Sequence, residues 1–279
     1  MDGSGFVHVD GGRIYYEVEG AGQPVLLIHG GLGSLRMWDD QVPAFVERYQ
    51  VIRYDTRGFG RTETDDVEFA NRADAAAVLD HVGATSAHLV GQSRGGMIAL
   101  DFAIEHPERV DSLVSVAGGI GGYEAKPKEE DSAPPPWEEM DRLWESKDWG
   151  SLAELETQVW VDGWGQPPDR VDAGLRRKVH GWILATYEAE KAEGKPQPLR
   201  PPAAERLAEV DAPTLVMIGE VDEPGGVAAE RHLAASVAGA RLIEFPGVAH
   251  MIQLEEPERF NRATLDFLAE VDRRPQATG

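Results

Sequence analysis

Short apolar, β-branched runs alternate with longer stretches of helical periodicity through the first 117 residues. Arg13 to Val18, Val25 to Ile28, Val51 to Tyr54, His88 to Val90 and Leu113 to Val116 are too short for helices and rich in Val, Ile, Leu and Tyr, so they predict strands. The segments around Trp38 to Arg48, Phe69 to Val82 and Gly95 to Glu105 predict helices between them. Strand and helix in alternation predict a mostly parallel sheet covered on both faces. The rhythm breaks over 121–205, which opens with Gly121-Gly122, carries Pro134-Pro135-Pro136 and closes with Pro196, Pro198, Pro201 and Pro202. This stretch holds Trp137, Trp144, Trp149, Trp160, Trp164 and Trp182, but no Phe. Helical spacing over Trp137 to Trp149 and Leu175 to Glu193 predicts a small helical subdomain. Strands resume at Thr214 to Ile218 and Arg241 to Phe245, with helices over 226–237 and 257–271. The expected organisation is one α/β core, residues 1–120 and 206–279, with a helical cap over 121–205.

Composition narrows the function. The 279 residues are 42% hydrophobic, an ordinary globular content, and the absence of Cys removes thiolate nucleophiles, disulfides and thiolate metal sites. A net charge of −22, from 49 acidic against 27 basic residues, repels phosphate backbones and anionic membrane surfaces. The acid excess is spread along the chain and reads as a solvated surface. Val25 to Ile28, the longest aliphatic run, cannot span a bilayer, and Met1 to Gly20 lacks a basic segment followed by an apolar one. The expectation is a cytoplasmic enzyme or binding protein with a small-molecule partner, with no nucleic acid and no membrane.

The chemistry concentrates at Gly91-Gln92-Ser93-Arg94-Gly95-Gly96, between the strand His88 to Val90 and a helix beginning Met97-Ile98-Ala99. A serine on a sharp strand-to-helix turn needs glycines around it, because side chains would collide there, and this context predicts a nucleophile elbow. A serine hydroxyl needs a base, and the base an orienting carboxylate. Asp222 follows one late strand, in Gly219-Glu220-Val221-Asp222, and His250 follows the next, in Pro246-Gly247-Val248-Ala249-His250. Both sit in loops at the carboxyl ends of strands, where open parallel sheets carry their sites. Glu220 and Glu223 are close enough in sequence to supply the carboxylate instead. Of the other histidines, His29 reads as a turn residue and His180 as a possible substrate contact. His29-Gly30-Gly31-Leu32-Gly33 offers backbone close to a ligand, so the Gly31 and Arg94 N–H groups are the expected oxyanion donors.

Together with Asp55-Thr56-Arg57-Gly58-Phe59-Gly60, these motifs make a pattern that resembles the α/β-hydrolase superfamily over nearly the whole chain. The resemblance implies a mostly parallel eight-stranded sheet flanked by helices, with a helical cap inserted after strand 6. Arg36 to Pro43 and Arg53 to Gly60 look like the enol-lactonase branch and its esterase relatives, although that branch usually has an apolar residue where this chain has Arg94. The implied activity is cleavage of a carboxylic ester or lactone through an acyl-enzyme, with no metal and no cofactor. C–C bond hydrolysis, aminopeptidase or perhydrolase chemistry on the same residues, or a ligand receptor built on the same shell, are the competing readings. The Arg94 side chain either pairs with one of many acids or offers a cation to a substrate carboxylate. The cap tryptophans either form its core or line an apolar, aromatic pocket, for which Trp160, Trp164 and Leu32 are the candidates.

Overall fold

The computed structural model describes residues 3–125 and 136–273. Eight main strands form its sheet: β1 (Gly3–Val9), β2 (Gly12–Gly20), β3 (Gln23–Ile28), β4 (Tyr49–Tyr54), β5 (Ala87–Gln92), β6 (Val110–Val116), β7 (Thr214–Gly219) and β8 (Arg241–Phe245). They lie in the order β1-β2-β4-β3-β5-β6-β7-β8, with the two-residue strand Glu63–Thr64 added against β2. From β4 to β8 every pairing is parallel, and only β2 runs against its neighbours.

β3 shows why the central strands read as unbroken apolar runs. Side chains alternate across a strand, and here Leu26 and Ile28 enter one apolar cluster while Val25 and Leu27 enter the other. Helices cover both faces, so neither set meets water. On one side pack α2 (Asn71–His81), α3 (Arg94–Glu105) and α7 (Pro224–Ser236), through Val78, Phe102 and Leu233. On the other pack α1 (Val42–Phe45) and α8 (Pro257–Asp272), through Phe45, Phe260 and Phe267.

Between β6 and β7 the chain forms α4 (Trp137–Ser146), α5 (Trp149–Thr157) and α6 (Ala173–Glu188). A third apolar cluster joins this segment to the core, combining Val161, Val179 and Ile183 with Leu32, Met37 and Met251. A two-stranded ladder of Glu68–Phe69 with Lys195–Pro196 ties its far end to the chain just before α2.

The structure differs from the sequence expectation in four places. β1 was not expected; it pairs with β2 through a hairpin whose turn is Asp10-Gly11, with Gly11 at φ +62°. The helix expected over Trp38 to Arg48 is instead a 3-10 turn, Leu35–Trp38, followed by the single turn α1, because Pro43 starts a new helix. Trp137 to Trp149 is divided at Lys147, left-handed at φ 54°, after which Asp148 caps α5 by accepting from Ser151 N at 3.2 Å. The helix expected over Leu175 to Glu193 begins earlier, capped by Asp172, and ends at Glu188. Pro134 and Pro135 lie outside the described residues.

Candidate active site

Ser93 joins β5 directly to α3 with φ 53° and ψ −120°, a conformation that costs a non-glycine residue strain and tends to persist where function requires it. The turn fits only because its neighbours are glycines. A Cβ at Gly91 would collide with Gly95 O, and one at Gly95 with Ile28 O and His29 O. Ser93 N donates to Val116 O at 2.9 Å, which pins the turn to β6.

His250 and Asp222 are brought together. His250 Nδ1 lies 2.8 Å from Asp222 Oδ2, and both side chains are buried. The other oxygen, Asp222 Oδ1, accepts from Glu223 N at 2.7 Å, so the carboxylate is held at both ends. With Nδ1 donating to a carboxylate, the imidazole presents Nε2 as its basic nitrogen. The two neighbouring carboxylates are committed elsewhere: Glu220 Oε2 accepts from Gly247 N at 2.9 Å, and Glu223 Oε2 accepts from Gly226 N at 2.8 Å as the cap of α7. Gln92, next to Ser93, donates from Nε2 to His250 O at 3.2 Å and links the elbow to the histidine loop.

The loop after β3 lies against the elbow, with Gly30 adjoining the Ser93 Cβ. Asp55 braces this loop by accepting from Leu35 N at 2.8 Å and from Arg61 N at 2.7 Å. Gly31 borders open space, and Arg94, as the first residue of α3, has an N–H without an intrahelical partner. His29 is a structural turn residue. Its Nε2 accepts from Thr56 N at 3.0 Å and its Nδ1 lies 2.7 Å from Gly30 O, while burial lowers its pKa to about 4 and keeps it neutral. His180 faces Glu154 at 3.9 Å.

Trp160 lies on a single π-helical turn, Gln158–Asp162, and its ring is 4.7 Å from the His250 ring. Trp137, another of the cap tryptophans, stacks on Trp160 with ring centroids 5.8 Å apart. Trp164 donates its backbone N–H to Val221 O at 2.7 Å, and Leu32 is buried in the apolar cluster between loop and insertion. Arg170 was not anticipated. It bonds Val161 O at 2.6 Å, Gly247 O at 2.7 Å and the Glu255 carboxylate, while Glu255 accepts from Ala249 N at 3.0 Å. Its signal, one Arg in a loop, is invisible without the fold.

The family model described as the alpha/beta hydrolase fold matches residues 23–257. The chain belongs to the α/β-hydrolase fold family. A relative from Burkholderia vietnamiensis, named 2-hydroxy-6-oxononadienedioate/2-hydroxy-6-oxononatrienedioate hydrolase, is 31% identical, with 92% of this chain and 91% of that protein covered. The solved structure of Est816, titled as an N-acyl homoserine lactone degrading enzyme, is 26% identical, with TM-score 0.72 and 94% and 100% of the two chains covered. A thermophilic esterase from Thermogutta terrifontis shares the fold at 24% identity and TM-score 0.75, with 96% and 99% covered. The proteins it resembles are named as a hydrolase, a lactone-degrading enzyme and an esterase. No helix among the described residues is long and apolar enough to cross a membrane.

Proposed function

We propose that the chain is a serine hydrolase that cleaves a carboxylic ester or lactone through an acyl-enzyme. The observation that carries this reading is the buried 2.8 Å pairing of His250 Nδ1 with Asp222 Oδ2, on two loops beside the strained Ser93 turn. In this mechanism His250 Nε2 takes the Ser93 proton as Oγ attacks the carbonyl carbon. The Gly31 and Arg94 N–H groups hold the oxyanion, and His250 returns the proton to the leaving alkoxide. Water, activated by the same histidine, then releases the acid. Asp222 orients the imidazole and stabilises its charged form. Over this site residues 121–205 act as a cap, in which Trp160, with Leu32 and Trp164 beside it, presents an apolar and aromatic wall to substrate.

The test is hydrolysis of p-nitrophenyl esters from acetate to decanoate, with simple lactones, by wild type and Ser93→Ala. Turnover should vanish in the variant, and a fluorophosphonate probe should label wild type alone. Labelled protein that turns over no ester or lactone would shift the reading to C–C bond hydrolysis, which the name of the 31% identical relative favours. An unlabelled, folded wild type would remove the serine mechanism altogether.

A further inference from the structure

Arg94 is a partly buried cation that no carboxylate pairs with among the described residues, next in sequence to the candidate nucleophile. Its Nη1 donates to Thr56 Oγ1 at 2.9 Å, its Nη2 to Asn71 Oδ1 at 3.3 Å, and its Cζ lies 4.8 Å from the Phe59 ring centroid. All three partners are neutral. Among the described residues no carboxylate comes within 4.0 Å of it, although Arg170, also partly buried, and the buried Arg53 and Arg57 each hold one. The nearer acids are engaged or peripheral: Asp74 is held by Arg57 at 2.8 and 3.0 Å, and Glu193 is exposed. Burial also holds the Arg94 pKa below its ordinary value, a cost that the acids around it do not offset. A chain with 49 acidic residues has no shortage of partners, so an unpaired guanidinium at this position is informative.

Arg94 also lines a cavity of about 300 Å³, with Asn71 and the apolar wall of Met97, Ile98 and Leu199. Two other charged side chains reach the cavity. Arg72 is tied to Glu105 and to Gln197 O. Asp101 is on the same face of α3 as Arg94 but seven residues on, about 10 Å along the axis at 1.5 Å per residue; its Oδ1 has no partner, and burial raises its pKa to about 6. An elongated ligand in this cavity would therefore meet a cation at the Arg94 end and a carboxyl group at the Asp101 end, which limits how long an anionic chain held there can be.

We propose that Arg94 binds a carboxylate carried by the acyl part of the substrate, so that the preferred substrates are short half-esters of dicarboxylic acids. This rests on Ser93 being the nucleophile and adds the substrate class. The backbone N–H of Arg94 addresses the scissile carbonyl while its side chain addresses the second carboxyl group, so the two are separated by the reach of one arginine side chain. Hydrolysis consumes one water and releases the alcohol and the dicarboxylate. At long range a protein of net charge −22 repels anions, so any preference for an anionic ester has to come from a local cation.

The experiment compares monoethyl glutarate with ethyl pentanoate, its neutral counterpart of similar length, by pH-stat, for wild type, Arg94→Lys and Arg94→Met. Calorimetry in parallel measures binding of the corresponding slowly cleaved amides, glutaric acid monoethylamide and N-ethylpentanamide. Wild type should favour the anionic ester in kcat/KM by roughly 10- to 100-fold, as expected for a charge-assisted pair. Arg94→Met should abolish that ratio and the tighter binding of the anionic amide, and Arg94→Lys should keep part of both. If Arg94→Met does not fold, Arg94→Gln, which keeps hydrogen-bond donors without the charge, makes the same comparison. Turnover of the neutral ester with the same ratio and the same amide affinities in wild type and variant overturns the proposal and leaves the esterase reading standing. Arg94-dependent binding of the anionic amide without turnover of either ester supports the anion site and removes the esterase reading. Neither turnover nor binding removes both.

Discussion

Glu220, Asp222 and Glu223 lie within four consecutive positions and carry the same functional group, yet each does something different. Only Asp222 meets His250; Glu220 holds the histidine loop through Gly247 N, and Glu223 caps α7. Sequence spacing put all three within reach, and the choice between them depends on the direction of a single turn after β7, which spacing does not encode. Asp222→Asn is expected to lower kcat on the order of 10⁴-fold by stabilising the wrong imidazole tautomer, whereas Glu220→Gln should change it only a few-fold; steady-state kinetics on the best ester checks both. A fourth acid, Glu230 on α7, is fully buried, accepts from Ser115 Oγ at 3.0 Å, and has its pKa raised to about 8 chiefly by burial. Its carboxyl group is therefore protonated in the folded state over a range in which the unfolded chain has already lost the proton. Stability supplied by the protonated form is complete below about pH 4.3 and is lost as pH rises towards 8, at up to roughly 1.4 kcal/mol per pH unit. Glu230→Gln, which cannot ionise, should gain in urea midpoint relative to wild type between pH 5 and pH 9. A constant difference across that range would mean that Glu230 does not titrate there.

Elements were legible where burial is simple. β3 is covered on both faces, so Val25 to Ile28 is apolar throughout, and the shorter apolar runs Val51-Ile52 in β4 and Leu89-Val90 in β5 stand out likewise from the helices that follow. The elbow was legible for a related reason: its glycines are required by backbone contacts at both ends of the turn, to Gly95 O from one side and to Ile28 O from the other. β1 was missed because half of it faces water, and Gly3, Ser4 and Gly5 carry little strand preference of their own; its register comes from β2. The break at Lys147 was missed because a left-handed residue there is imposed by the packing of Trp144, Trp149 and Tyr187, whose rings lie 5.3 to 5.7 Å apart. The elbow yields a direct test. Gly95→Ala places a methyl group against the Ile28 and His29 carbonyls, which are backbone and cannot swing aside. The expected loss is about 1–3 kcal/mol of stability or more, measured by urea unfolding, together with loss of turnover in whatever fraction still folds.

At the scale of the whole molecule, the segment between β6 and β7 is fastened to the loops that carry Asp222 and His250. Trp164 N bonds Val221 O at 2.7 Å, and Arg170 joins the π-helical turn to Gly247 O and to Glu255, whose carboxylate in turn receives Ala249 N. The apolar seam of Leu32, Val161, Val179 and Met251 closes the same junction. Any opening over the site is therefore expected away from this corner, with Trp160 staying against His250. The Arg170–Glu255 pair is largely buried, with side-chain exposures of 14% and 8%, and burial raises the Glu255 pKa even with Arg170 beside it. Removing one partner strands the other: Arg170→Met should cost about 3–5 kcal/mol and speed proteolytic cleavage within 121–205. Replacing both, as Arg170→Met with Glu255→Met, should cost less than the sum of the two single changes, because the second substitution removes the charge that the first left unpaired. A four-member cycle of urea midpoints measures this coupling, and strictly additive losses would show that the corner is held by the apolar seam alone.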